Sequence, residues 1–144
     1  MTLLALAVIL LAQADVTAPA DVVVSATFVA PARDGVLASV AVTLTPRDHS
    51  VKVNEEPAPR LKLDPAQTVL VDKQRPAPPA RSFDPTSARY LDPALPVHFP
   101  VAIRRGATRG RQTAKATVTY FYCSQRDGWC RKGTSDVEFP VDVR

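Results

Sequence analysis

From Val22 onward apolar residues recur at every second position, the period of a half-buried strand rather than of a helix. Val22, Val24, Ala26 and Phe28 alternate with Val23, Ser25 and Thr27. Pro31-Ala32-Arg33-Asp34-Gly35 then supplies a turn, Asp-Gly being a strong hairpin signal. Val36, Ala38, Val40, Val42 and Leu44 share one face of a second predicted strand. Residues 46–59 are polar and bounded by prolines, and read as a loop or an irregular edge; 61–63 and 69–71 are short strand candidates on either side of Asp64-Pro65. The last third carries the alternation three times: Val97, Phe99, Val101 and Ile103; then Ala116, Val118, Tyr120 and Tyr122, ending at Cys123; then Val137, Phe139, Val141 and Val143. Residues 73–96 hold six prolines and little periodicity, which leaves two readings open: an extended surface connection pinned to the body by Tyr90 and Leu91, or a disordered insert.

About seven short strands with turn residues between them predict an all-β chain, an immunoglobulin-like two-sheet β-sandwich, in which each late strand turns its apolar face to the opposite sheet. Composition points the same way. The 14 prolines in 144 residues are about twice the ordinary share, and proline is confined to sheet edges, strand ends and turns. Two of the late strands share Val-x-Phe-Pro-Val, which fits a duplicated hairpin or, more simply, two edge strands whose prolines face away from the ladder. An apolar fraction of 46% and a net charge of +4 belong to an ordinary globular domain and select no partner by themselves.

Residues 3–12 are an unbroken run of ten apolar residues, too short to span a bilayer but suited to the core of a signal peptide. Ala12-Gln13-Ala14 offers a small-x-small cleavage pattern, so the sequence predicts a signal peptide over 1–14 and one domain over 15–144, periplasmic or otherwise secreted. No Lys or Arg precedes the run, which keeps a buried first strand as the rival. No cysteine adjoins the cut, and no later segment is long enough for a membrane span of its own.

The chemistry-bearing residues are few. Cys123 and Cys130 enclose Ser124-Gln125-Arg126-Asp127-Gly128-Trp129, and an even cysteine count in an exported chain points to a disulfide, with Asp127-Gly128 reversing the chain. Such a small ring stabilises the fold by about 2.5 kcal/mol on a chain-entropy estimate, so a purely structural bond is one reading. The other is exchange: Arg126, Arg131 and Lys132 lie within three residues of a sulfur, where cations favour thiolate, and a short exposed loop leaves sulfur open to a partner. Trp129 either shields or docks at this bond or caps the open end of the sandwich. His49 and His98, the only histidines, stand at no zinc-ligand spacing from the cysteines, and no nucleophile elbow, phosphate loop or metalloprotease motif occurs, so neither a metal nor a cofactor is expected. Arg104, Arg105, Arg109 and Arg111 form a basic loop with Gly106 and Gly110 as turn residues. It reads as a solvated hairpin tip; an anionic membrane surface is the alternative, while nucleic acid is not expected because the loop has no stacking aromatics.

The run Thr117-Val-Thr-Tyr-Phe-Tyr-Cys-Ser-Gln-Arg-Asp-Gly-Trp-Cys130, followed by Val137-Glu-Phe-Pro-Val-Asp-Val143, resembles the end of the periplasmic N-terminal domain of the thiol:disulfide interchange protein DsbD and of DsbD-like domains. The segment Asp48-His-Ser-Val-Lys-Val-Asn-Glu-Glu-Pro57 is similar to an early His/Lys-x-Asn…Pro segment of the same family. The resemblance implies an immunoglobulin-like fold outside the cytoplasm. It also implies that Cys123 and Cys130 are a catalytic, redox-exchanging pair whose partners are periplasmic thiol/disulfide proteins or a membrane electron carrier. The chain departs from the family in having one more residue between its cysteines than is usual, and Arg131-Lys132-Gly133 where prolines often follow. A thiol–disulfide exchange module is therefore the leading expectation, and a non-catalytic interaction or structural domain the alternative.

Overall fold

The structure, a computed structural model, describes residues 20–76 and 89–144; the expected signal peptide and the middle of the proline-rich stretch lie outside the described residues. Eight strands follow in chain order: β1 (Val22–Val29), β2 (Ala38–Pro46), β3 (Val51–Val53), β4 (Arg60–Leu63), β5 (Leu70–Asp72), β6 (Val97–Ile103), β7 (Gly110–Ser124) and β8 (Cys130–Val143). One antiparallel sheet has the order β1-β2-β6-β5. In the other, β7 pairs with β8 along one edge and with β3 and β4, end to end, along the other. The apolar faces read from the sequence meet between the two sheets. Val40, Val42 and Val101 from the first sheet and Val118, Phe139 and Val141 from the second are almost wholly buried in a single core. Burying six such side chains contributes about 1.5–3 kcal/mol each, which is what holds two otherwise separate ladders together.

The strand ends depart from the sequence pattern in informative ways. Val36 was expected in the second strand but lies in the β1–β2 loop, where its N–H donates to the Arg33 carbonyl and Gly35 takes a left-handed conformation at φ 79°. β7 begins at Gly110 and β8 at Cys130, six and seven residues earlier than their apolar alternation starts. Ala114, wholly buried, carries the core face of β7 two residues further. The polar residues beyond it on β7 and at the start of β8 extend the hairpin because each completes the other's hydrogen-bond ladder, a gain that hydropathy does not register. The stretch 46–59, read as a loop or an irregular edge, contains the three-residue β3 at the edge of the second sheet.

The two Val-x-Phe-Pro-Val strands were expected to be edges. β8 is one, and the regular register with β7 leaves the Pro140 nitrogen facing away from its partner. β6 is not, since it lies between β2 and β5. Its proline is tolerated because β5 ends there. Asp72–Val101 is the last pair, and the Pro100 carbonyl accepts a final bond from the Lys73 N–H. No described helix is long and apolar enough to cross a membrane.

Candidate functional site

Cys123 and Cys130 form the last residue pair of the β7–β8 ladder. The Ser124 N–H donates to the Trp129 carbonyl one step beyond them, so the cysteines occupy a non-hydrogen-bonded position, where opposed side chains come closest. Their α-carbons are 4.0 Å apart and the sulfurs are bonded at 2.04 Å. The loop beyond them is ordered by its own polar groups. Ser124 Oγ accepts from the Asp127 N–H, the Gly128 N–H donates to the Ser124 carbonyl, and Gly128 sits at φ 72°, a conformation that favours glycine. The Gln125 N–H donates to the Ser50 carbonyl at 2.7 Å, tying the loop to the turn before β3.

The two sulfurs have unlike surroundings. Cys123 is 4% exposed, whereas Cys130 lies open to solvent. Cys123 Sγ is 3.4 Å from Oδ1 of Asn54, itself 1% exposed. The disulfide sulfur carries no proton, so this is a contact; on reduction the same oxygen would stand within reach as an acceptor for the Cys123 thiol. Asn54 is held by its N–H bond to the Phe121 carbonyl and by a bridge to Tyr90, while the Leu91 N–H donates to the Val53 carbonyl. Tyr90 and Leu91 thus anchor the end of the proline-rich connection at the site, as the sequence suggested, and the Tyr90 hydroxyl also accepts from Gln125 Nε2 at 3.0 Å.

Register places two lysines around the sulfurs on the outer face of the sheet. Lys52 of β3 is the cross-strand partner of Cys123, and Lys132, two residues beyond Cys130, rises from the same face opposite Phe121. The arginines expected there are otherwise engaged. Arg126 reaches Asp48 at 3.5 Å and Asp127 at 3.6 Å, and the Arg131 guanidinium stacks 4.0 Å from the Trp129 ring centre. Trp129 meets Tyr122 edge to face on the core side of the hairpin, so it caps the end of the sandwich. Tyr122 donates its hydroxyl proton to Asp21 at 3.0 Å; burial pushes its ionisation up from the usual value, and the Asp21 carboxylate adds to the effect. Asp48 is held below the ordinary carboxylate range by the Ser50 N–H on its Oδ1, helped by nearby Arg126 and His49.

The other sequence candidates do not join this site. His98 is exposed on β6 and lies 3.1 Å from Ser39 Oγ. Arg104, Arg105, Arg109 and Arg111 stand at the opposite end of β7. Lys52 and Asn54 were legible only as polar positions alternating with Val51 and Val53, and no hydropathy signal marks the second as buried. Comparison with family models, curated proteins and solved structures gives no match to this chain.

Proposed function

We propose that this chain is an extracytoplasmic thiol–disulfide exchange module similar to the N-terminal domain of DsbD. The observation that carries the reading is the inequality of the two sulfurs, one open to an incoming thiolate and one buried against Asn54. Exchange needs an accessible sulfur to be attacked, which is Cys130, and a sulfur that leaves as thiolate. Positive charge from Lys52 and Lys132 on the same face favours the Cys123 thiolate, against the burial and the Asn54 oxygen that favour its thiol. A second support is spatial. Lys52-Val53-Asn54 and the cysteine hairpin, about seventy residues apart in sequence, are the two segments that resemble the family, and they adjoin one another at the bond.

In the reduced form Cys130 thiolate attacks a partner disulfide. A Cys130–partner bond forms, the partner's own S–S bond breaks, and one partner sulfur leaves as thiolate. Cys123 thiolate then attacks Cys130 Sγ, closing the Cys123–Cys130 bond and expelling the partner's second sulfur. The partner gains two electrons and the module loses two electrons and two protons. Partner oxidation is the same path in reverse, opened by a partner thiolate on Cys130.

A structural staple is the alternative, and the place of the bond at the end of a fourteen-pair ladder favours it. The reduction potential separates the two: a value near about −200 mV supports exchange, and one below about −300 mV supports the staple. Trapping gives an independent test. The Cys123→Ser variant, which keeps the exposed thiol and lacks the resolving one, is expected to accumulate mixed disulfides with specific extracytoplasmic proteins, whereas Cys130→Ser is not. Equal trapping by both, or by neither, overturns the assignment.

A further inference from the structure

At the end of the sandwich remote from the disulfide, two loops bring together features that the sequence kept apart. The β1–β2 loop exposes Val36 (43%) and Leu37 (51%), and β6 ends in Ile103, 37% exposed. Ala38 pairs with Val101, so the end of this loop and the end of β6 lie side by side at one tip. The same loops, residues 30–37 and 104–109, hold Arg33, Arg104, Arg105 and Arg109 against a single carboxylate, Asp34, a net charge of +3. All four arginines are exposed, and among the described residues none forms an ion pair.

We infer that this tip docks on an anionic phospholipid surface. Exposed aliphatic side chains ringed by unpaired guanidinium groups suit the boundary between headgroups and acyl chains: the apolar groups enter and the cations remain with the phosphates. A nucleic-acid surface is disfavoured, because the two loops carry no aromatic side chain on which bases stack. Docking in this pose holds the disulfide roughly 45 Å from the bilayer along β7, facing away from it.

Sedimentation with equimolar phosphatidylglycerol–phosphatidylcholine vesicles tests the inference. The purified chain is expected to bind these vesicles more tightly than phosphatidylcholine alone, and Arg104→Gln/Arg105→Gln to weaken binding about 30-fold. Leu37→Ser/Ile103→Ser is expected to weaken it about tenfold while leaving the charge intact. Because residues 3–12 are themselves apolar, a local probe is needed as well. Leu37→Trp in a Trp129→Phe background should shift its emission to the blue on anionic vesicles. Unchanged binding in the arginine variant or an unshifted emission overturns it.

Discussion

Asp48 links the two loops that frame the cysteine pair. Its Oδ1 accepts from the Ser50 N–H at 2.8 Å, its Oδ2 faces Arg126 of the cysteine loop, and Gln125 of that loop bonds the Ser50 carbonyl. These contacts favour the ionised carboxylate in the folded state, so its folded pKa lies below the unfolded one. The linkage has one sign: the stabilisation is present above the unfolded value of about 4 and is lost as pH falls through the depressed folded value. Asp48→Asn keeps an oxygen acceptor for the Ser50 N–H and removes only the charge. Urea denaturation as a function of pH is expected to show this variant less stable than the parent near neutrality, with the gap closing as pH falls through the depressed folded value. A constant gap across that range would mean that the turn itself, and not its charge, had been altered. Asn54 teaches a different lesson at this scale. Its residue type in an alternating strand predicts an exposed polar position, and only the neighbouring cysteine row and the returning chain at Tyr90 explain its burial.

The β7–β8 hairpin is the element that sets the site, and it was partly legible. Alternation gave the faces of both strands correctly, because a two-sheet core demands apolar residues at every second position. It did not give their length: 110–113 and 130–136 are recruited by pairing and not by burial, while Ala114, wholly buried, continues the core face before the start at Ala116 read from the sequence. Nor did it separate a lone edge strand from β6, whose neighbour simply stops at the proline. One position in the extended part is strictly specified. Gly133 lies opposite Tyr120, and a Cβ placed on it would come 2.5 Å from the far end of that buried ring, so the ring or the strand must shift. The glycine is therefore a seat for the tyrosine. Gly133→Ala is expected to cost about 1–3 kcal/mol in chemical denaturation, as overpacking does, and to perturb the Tyr120–Tyr122 contact that supports the cysteine end. Unchanged stability would show that the ring can leave its place at no cost.

At the scale of the whole molecule, the sulfurs and the core are far apart in their duties. Val40, Val42, Val101 and Val118 are fully buried, and the entire β1-β2-β6-β5 sheet is assembled without either cysteine. The disulfide closes a ring of eight residues whose ends are already registered by a ladder reaching to Gly110–Val143. Removing it should therefore act mainly through the unfolded chain, raising its entropy by an amount worth about 2.5 kcal/mol, while leaving the sandwich intact. Cys123→Ser/Cys130→Ser is expected to lose about that much stability in urea and to keep a β-sheet circular-dichroism spectrum like that of the oxidised parent. The outcome bears directly on function. A module that cycles between thiol and disulfide must stay folded in both states, because the reduced form has to present Cys130 while holding Cys123 beside Asn54. A double variant that unfolds under native conditions would show that the bond is required for the fold, which is the behaviour of a staple and not of an exchanging pair.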